Sequence, residues 1–179
     1  MNYEIKIRPA RTSDVRKIAD LMQPMVEERI LLGKDLVVLY EHVQEFMIAE
    51  IGAADSRDEE PEIAGFGALH VMWEHLGEIR SIATVERWRG FGVGHRLLDA
   101  LEERARVLGL SKLFCLTFET KFFGSHGFEE LAEPSSELLE ADVYAELLRS
   151  PDDGVAEFLD LARVKQNTLG NTRMLKRLA

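Results

Sequence analysis

Cysteine is scarce in this chain and basic residues are fewer than acidic ones, and each feature argues against a class of protein. Cys115 is the only cysteine among 179 residues, so no disulfide can form within the chain. It lies in the apolar run LFCLTF, which favours a buried, inert thiol over a catalytic nucleophile. Lysine and arginine total 22 against 32 acidic residues, a formal net charge of −10. Because that charge opposes binding to phosphate backbones, we expect no nucleic-acid partner.

Long apolar runs are also missing. No stretch approaches 18 apolar residues, and the start of the chain, MNYEIKIRPA, lacks the apolar segment of a signal peptide. We therefore expect a cytoplasmic protein that does not enter a membrane. No group of His, Cys and carboxylate residues has the spacing of metal ligands, so no metal is expected. The length, without a linker or a repeat, predicts one domain over residues 1–179.

The hydrophobic pattern predicts a mixed α/β chain. Alternating or β-prone apolar segments predict strands at residues 3–9, 46–51, 62–73, 77–85, 112–118 and 172–178. Helical spacing predicts helices over residues 15–22, 36–44, 95–108, 120–126 and 137–148, with Pro24 interrupting the first. In the strand 77–85, alternation puts Glu78, Arg80 and Ile82 on one face and Ile79 on the other.

A glycine-rich turn, RGFGVG, separates that strand from the helix that follows it. A turn in this position directs backbone N–H groups and a helix N-terminus toward one point, which suits a pyrophosphate. Arg89 adds a positive charge. No Gly-Lys-Ser/Thr follows, and Leu97 stands where a dinucleotide fingerprint needs a small residue, so both of those phosphate motifs are excluded. A plain tight turn between strand and helix is the alternative interpretation.

The turn and its surroundings resemble the GNAT superfamily of acetyltransferases. RGFGVG matches the R-x-x-G-x-G signature of that superfamily, and a strand, a long helix, another strand and a short helix ending in FFGSHGF surround it in the same order. The resemblance implies a GNAT fold, with a central mixed, mostly antiparallel sheet flanked by helices, and acetyl-CoA as co-substrate. It assigns acetyl-CoA binding to Ile82, Ala83, Thr84, Arg89, Gly90, Phe91, Gly92, Val93, Gly94, His95 and Phe122.

Acetyl transfer to an amine needs a neutral nitrogen, a route for its proton and stabilisation of the oxyanion, but no covalent enzyme intermediate. Glu78 is the candidate base because of its place beside Arg80 on the strand; the alternative is a structural ion pair with Arg80. Many GNAT enzymes use a tyrosine of the short helix as general acid, and Phe123 stands there in this chain. Thr117 is therefore the candidate acid, with a purely structural role as the alternative.

A narrower resemblance is to N-acetylglutamate synthases, in particular the short, stand-alone mycobacterial type. The matching stretches are ILLGKDLVVLYEHVQEF, GEIRSIATV, LGLSKLFCLTFETKFFGSHGF and, near the end, GVAEFLDLARVKQNTLGNTRML. The resemblance implies transfer of acetyl to the α-amino group of L-glutamate, the first step of arginine biosynthesis. The long form of these enzymes carries a further domain that binds arginine, and this chain has no room for it.

Positions of that family suggest the substrate contacts. Lys34 falls where the family has a cation for a glutamate carboxylate, and Thr172 falls at a hydroxyl near the substrate. An arginine two residues before that hydroxyl in the better-known form is Gly170 here, so Arg80 is expected to replace it. Arg173 and Lys165 are further candidates. By the same resemblance Glu78 acts as base through a water molecule and Thr117 as the acid.

Three other functions remain open at this point. The chain is either a GNAT enzyme for another small amine such as glutamine or aspartate, or a non-catalytic acyl-CoA-binding module, or a protein acetylase. The missing tyrosine favours the binding module. His95 and His126 are expected to be structural or adjacent to CoA, because neither has a recognisable catalytic partner. Small GNAT enzymes often form homodimers, which makes a homodimer the expected assembly.

Overall fold

The computed structural model describes residues 3–53, 61–131, 138–161 and 170–179. The helices in these ranges are α1 (Val15–Glu27), α2 (Leu36–Glu41), α3 (Val93–Val107), α4 (Thr120–Ser125), α5 (Ala141–Leu147) and α6 (Asp153–Phe158). The strands are β1 (Tyr3–Pro9), β2 (Phe46–Ala53), β3 (Glu62–Trp73), β4 (Leu76–Thr84), β5 (Lys112–Thr117), β6 (Glu129–Glu130) and β7 (Thr172–Arg177).

The seven strands are hydrogen-bonded in the order β1-β2-β3-β4-β5-β7-β6. The pairs β1–β2, β2–β3, β5–β7 and β6–β7 are antiparallel, and β4–β5 is parallel. A mixed, mostly antiparallel sheet with helices is the predicted fold class, which is confirmed. The chain divides into two compact units, the first comprising Met1–Leu69 with Ile79–Val107 and the second His70–Glu78 with Leu108–Ala179.

The first unit has a hydrophobic cluster on each face of its strands. On one face, apolar residues of α1 and α2 pack on Phe46, Ile48 and Phe66. On the other, Val93 and Leu97 of α3 pack on a cluster from β2 and β3 comprising Ala49, Ile51 and Ala64. Gly65 makes the second packing close, since a Cβ there would lie 2.7 Å from the carbonyl oxygen of Ala83. This close approach fixes α3, and the turn before it, against β3 and β4.

The second unit is built on β5 and β7, which pair over their full lengths from Lys112↔Arg177 to Thr117↔Thr172. Its core joins Phe114 and Leu175 of these strands to Val155 and Phe158 of α6. The rings of Phe114 and Phe158 meet edge to face, with centroids 5.1 Å apart. This packing attaches α6 to the middle of β5.

Several elements differ from the sequence prediction. Helix α1 continues through Pro24 to Glu27, because Val26 beyond the proline packs on the same cluster as the rest of the helix and offsets the lost hydrogen bond. Helix α2 ends at Glu41 and a 3-10 turn follows at Val43–Glu45. The short elements β6 and α6 were not predicted. Residue 137, the predicted start of the helix before Leu148, lies outside the described residues; the described helix α5 is Ala141–Leu147.

Candidate active site

The glycine turn follows β4 in the first unit. A 3-10 turn at Glu86–Trp88 leads into it, and Gly90 and Gly92 adopt left-handed φ values of 84° and 81°. Nothing lies within 4 Å of a Cβ built on either glycine, so the backbone conformation and not crowding favours glycine here. The first turn of α3 then begins at Val93, two residues before the predicted start.

The start of α3 can bind an anion. An α-helix leaves its first N–H groups without partners inside the helix, and its dipole adds partial positive charge at this end. In α3 the N–H of Arg96 bonds to the carbonyl of Gly92 at 3.1 Å, which places Val93, Gly94 and His95 ahead of the first intrahelical bond. Val93 is buried and anchors the turn, while Arg89 and His95 are exposed. Backbone donors and an exposed guanidinium in this order suit a pyrophosphate.

An aromatic group, Tyr3, Trp88 and Phe91, supports the glycine turn. The three rings meet edge to face, with centroids 5.1 Å apart for Tyr3–Trp88 and 5.5 Å for Trp88–Phe91. The indole Nε1 of Trp88 donates to Glu62 at 3.2 Å, and Arg87 pairs with the same carboxylate. Sequence reasoning missed Tyr3 and Trp88, since their contact depends on β1 reaching the turn in space.

The end of β4 carries the residues expected to contact the acyl arm of CoA. Ser81 has a left-handed φ of 54°, which interrupts the alternation of side chains predicted for this strand. Ile82 packs with the α3 cluster, and Ala83 packs with the α1–α2 cluster on the other face. Ile82 and Ala83 therefore face opposite sides of the sheet, and the predicted shared face of Arg80 and Ile82 stays a prediction. The left-handed residue therefore changes the direction in which the backbone N–H and C=O groups after Ser81 point.

Arg80, a predicted substrate contact, has an acidic partner inside the first unit. Its Nη2 donates to Oε2 of Glu45 at 2.8 Å, and only 10% of its side chain is exposed. The other oxygen of Glu45 lies 2.9 Å from Nδ1 of His42. Any anionic ligand of Arg80 would thus share the guanidinium with a carboxylate. Lys34 is half-buried in the segment just before α2.

Glu78, the candidate base, lies in the second unit near the start of β4. It pairs with Phe114 in the parallel register of β4 and β5, and Thr117 is the last residue of that adjacent strand. Its side chain is buried, with the residue 6% exposed. The carboxylate packs against Gly154 in the first turn of α6, and a Cβ at Gly154 would overlap it. Sequence reasoning missed Gly154, which stands out only as a glycine early in a short helix.

Thr117, the candidate acid, ends β5 and is 8% exposed. Its Oγ1 accepts a hydrogen bond from the N–H of Glu119 at 2.9 Å, so the hydroxyl keeps its own hydrogen to donate. Thr172 lies directly opposite on β7. Arg173, one residue on, pairs with Asp160 at 3.5 Å. The structure thus brings the two predicted hydroxyls together, although they are distant in the sequence.

The short helix α4 contributes an apolar wall. Phe123, the residue at the position expected to carry a tyrosine acid, is buried between Phe122 and Phe128, with ring centroids 5.2 Å from each. Phe122 is half-buried and also contacts the ring of His126, at 5.3 Å. A buried phenyl ring has no proton to give, so this helix position carries no general acid.

Cys115 is fully buried in β5. Burial raises the pKa of its thiol well above the ordinary value, and the nearby charge of Glu78 raises it further. The structure thus confirms that the cysteine is buried, as predicted, and its inertness stays a prediction.

Comparison with known families identifies the chain. Residues 26–128 match the model of the acetyltransferase (GNAT) family, which covers more than half of the sequence. The chain belongs to the GNAT acetyltransferase family. It is similar to an amino-acid acetyltransferase of Mycobacterium tuberculosis, with 49% identity over 169 residues, 94% of this chain and 92% of that protein. Family membership confirms the predicted enzyme class, an acetyltransferase.

Two solved structures extend the comparison. This GNAT acetyltransferase superposes on Rv2747 of Mycobacterium tuberculosis, in complex with CoA and NLQ, with TM-score 0.85, 48% identity and coverage of 97% of this chain and 99% of that one. It also superposes on N-acetylglutamate synthase of Neisseria gonorrhoeae, complexed with coenzyme A and N-acetyl-glutamate, with TM-score 0.73 and 25% identity. That match covers 100% of this chain and 36% of the synthase, so the chain spans about a third of it.

The bound coenzyme in both relatives agrees with the predicted co-substrate, acetyl-CoA. Among the described helices, none is long and apolar enough to cross a bilayer. Lys165, a minor candidate for the substrate cation, lies outside the described residues. The single domain, the homodimer and the cytoplasmic location stay predictions.

Proposed function

We propose that this GNAT acetyltransferase transfers the acetyl group of acetyl-CoA to the α-amino group of L-glutamate, as the first step of arginine biosynthesis. The observation that carries the proposal is the 49% identity to an amino-acid acetyltransferase over 94% of this chain and 92% of that protein. Because the likeness extends over almost the whole of both chains, it is not restricted to the coenzyme-binding turn. The resemblance to N-acetylglutamate synthases supplies glutamate as the acceptor.

The donor is assigned to the first unit. The glycine turn and the start of α3 bind the pyrophosphate of CoA through backbone N–H groups, with Arg89 as a charged contact. The backbone of Ile82, Ala83 and Thr84 binds the pantetheine arm and the acetyl carbonyl. His95 and Phe122 are proposed to lie beside the coenzyme.

Glu78 is proposed to remove a proton from the substrate ammonium group through a water molecule, which yields the neutral amine. The amine nitrogen attacks the thioester carbon; a C–N bond forms, and the C–S bond then breaks. Thr117 gives its hydroxyl hydrogen to the departing sulfur. Its oxygen then takes a proton from the positively charged nitrogen of the former amine, which becomes the neutral amide nitrogen. The bond from Glu119 N–H to Thr117 Oγ1 supports this role, since it orients the hydroxyl without using its hydrogen.

Glutamate has two carboxylates, and each needs a positively charged side chain to bind it. Lys34 is proposed as the first, and Thr172 as a hydroxyl contact to the substrate. Arg80 and Arg173 are the candidates for the second. Both already pair with an acidic side chain, Arg80 with Glu45 at 2.8 Å and Arg173 with Asp160 at 3.5 Å.

The Arg80–Glu45 pair favours glutamine as a second candidate acceptor. An arginine whose charge is balanced by a carboxylate attracts another carboxylate less strongly than an isolated arginine does. A side-chain amide, by contrast, is neutral and both donates and accepts hydrogen bonds, so it can bind beside both members of the pair. Direct comparison of glutamate with glutamine separates the two candidates.

The test is release of free CoA thiol from acetyl-CoA with glutamate, glutamine or aspartate, or with a simple amine. We expect the highest kcat/KM with glutamate. Glu78→Gln should lower kcat by about 10²- to 10⁴-fold, the usual contribution of a general base. Lys34→Ala should raise KM for the amino acid and leave KM for acetyl-CoA unchanged, whereas Lys17→Ala, an exposed lysine on α1, should change neither.

Other outcomes reject definite parts of the proposal. Faster turnover of glutamine or another amine would keep the acetyltransferase but discard glutamate as its substrate. CoA binding without turnover of any amine would indicate an acyl-CoA-binding module. Full activity of Glu78→Gln would remove Glu78 from the mechanism.

A further inference from the structure

We propose that Gly154 is a positioning residue for the base: because it has no side chain, the carboxylate of Glu78 can lie against the first turn of α6. The inference rests on the proposed role of Glu78 in proton removal. It adds a residue from a different part of the chain, which no step of the mechanism above uses.

The contact is steric. A Cβ built on Gly154 would overlap the Glu78 carboxylate, lying 2.7 Å from Cδ and 2.8 Å from Oε1. Contacts of a Cβ below 3.0 Å essentially do not occur in proteins. Ordinary contact begins near 3.4 Å, so any side chain at this position would force the carboxylate or the helix to move.

No feature of the backbone requires glycine at position 154. Gly154 is the second residue of α6 and is not among the glycines with left-handed φ. Glycine is one of the least favourable residues inside a helix, since it has the most conformational freedom to lose on folding. A compensating reason is therefore expected, and room for Glu78 is the one that the structure supplies.

The first turn of α6 is held in place from its start. Asp152 is the N-cap, and its Oδ1 accepts hydrogen bonds from the N–H groups of Gly154 at 2.8 Å and Val155 at 3.2 Å. Its Oδ2 lies 3.7 Å from Nε2 of His70 on β3. The N–H of Gly154 is thus tied to the cap, which limits how far the backbone can retreat from Glu78.

The body of α6 is anchored to the strand that carries the partner of Glu78. Phe158 of α6 is fully buried and meets the ring of Phe114 edge to face. Phe114 is the residue of β5 paired with Glu78. The two rings, together with Val155 of α6 in the same cluster, hold the helix against the strand. A methyl group at Gly154 would consequently displace the carboxylate rather than the helix.

The experiment compares Gly154→Ala with Gly124→Ala, a glycine of α4 that has ordinary φ and no atom within 4 Å of a built Cβ. We expect Gly154→Ala to lower kcat by about 100-fold, the effect of misplacing a reacting group by about 1 Å, with KM for acetyl-CoA within about 2-fold of wild type. Gly124→Ala should leave both constants unchanged.

Rescue distinguishes positioning from a general structural role. Aspartate is one methylene shorter than glutamate, so in a Glu78→Asp background the added methyl group of Gly154→Ala should cost less than about 5-fold in kcat. The thermal unfolding midpoint should fall in Gly154→Ala and recover when Glu78→Ala is added. That midpoint does not depend on catalysis, so it reports the contact even if Glu78→Gln proves fully active and the proposed base is wrong.

Three results would overturn the proposal. One is wild-type kcat in Gly154→Ala. Another is an equal loss of kcat from Gly154→Ala in the Glu78 and Glu78→Asp backgrounds. The last is a Gly154→Ala protein that fails to fold both alone and with Glu78→Ala, since Glu78 would then not be the obstacle. If Gly154→Ala folds only together with Glu78→Ala, the steric relation is supported.

Discussion

Thr117 and Thr172 lie opposite each other on the antiparallel strands β5 and β7, where the pairing of these strands ends. Side chains opposed in this way have Cβ atoms about 4.5–5.5 Å apart and point to the same face of the sheet. The candidate acid therefore has a second hydroxyl beside it, contributed by the last strand of the chain.

The two hydroxyls are expected to have different roles. Thr117→Val keeps the shape of the side chain but removes the proton donor. We therefore expect kcat to fall by about 10- to 100-fold, at or below the lower end of the rate contribution usual for a general acid. Thr172→Val should mainly raise KM for the amino acid. Steady-state kinetics check both, with Thr120→Val, an exposed threonine at the start of α4, as control. Equal effects on kcat and KM in both variants would contradict the division of roles.

The ion pair between Arg80 and Glu45 is expected to set the preference between acceptors. Glu45→Gln preserves the size of the side chain and removes the charge that balances Arg80. The ratio of kcat/KM for glutamate to that for glutamine should therefore rise, by about 3- to 10-fold. Competition between the two amino acids in one assay measures the ratio. Glu41→Gln, at the exposed end of α2, is the matched control, and an unchanged ratio in Glu45→Gln would exclude Arg80 from substrate recognition.

The left-handed glycine of the turn is expected to matter for CoA affinity. Gly92→Ala forces a Cβ into a φ of 81°, which costs about 1–2 kcal/mol and disturbs the start of α3. Gly109→Ala imposes the same strain at φ 82°, after α3 has ended. Both variants should lose similar stability in urea unfolding, but only Gly92→Ala should bind CoA more weakly in calorimetry. Equal CoA affinity in the two would indicate that the turn is merely structural.

The network around Arg8 predicts a loss of stability in acid. Arg8 donates to both oxygens of Asp14, at 2.7 and 3.0 Å, and to Glu50 at 2.7 Å. The hydrogen bonds from Arg8 hold the pKa of Asp14 below its ordinary value of 3.8, although burial opposes this. A carboxyl group whose pKa is lower in the folded protein than in the unfolded chain stabilises the fold at pH values above its unfolded pKa. That stabilisation is lost as the pH falls through the pKa of the folded state.

Asp14→Asn should therefore lower the free energy of unfolding by about 2–3 kcal/mol at pH 7. The difference from wild type should shrink as pH falls below 3.8, the ordinary pKa, and through the lower pKa that Asp14 has in the folded protein. Urea unfolding at several pH values measures this, with Asp20→Asn on the exposed side of α1 as control. If the difference in free energy of unfolding stays constant down to the lowest pH, the negative charge of Asp14 does not stabilise the fold.

Cys115 should be unreactive in the folded protein. Since burial and the charge of Glu78 raise the pKa of its thiol, little thiolate exists at pH 8. A thiol-specific chromogenic reagent should modify less than one equivalent over hours in buffer and one equivalent at once in denaturant. Rapid modification of the native protein would mean that β5 is accessible to solvent.

Helices and strands could be predicted where the pattern of apolar residues along the chain marks them directly. Strands β1 and β3 have the predicted bounds, because alternating or continuous apolar residues mark them directly in the chain. The prediction failed at Pro24, where packing of Val26 overrides the cost of proline. It also missed α6, a helix of six residues whose stability comes from its cap and from burial of Phe158. Neither effect can be read from residue propensities alone.

The glycine turn, the buried cysteine and the family are properties that the order of residues already determines. A turn, its glycines and the helix after it are neighbours in the chain, so their pattern is local. The contacts of the candidate catalytic groups belong to the tertiary structure alone: Glu78 against Gly154, Thr117 opposite Thr172, and Arg80 paired with Glu45. Each joins residues far apart in sequence, and such contacts exist only because strand register and helix packing bring them within reach.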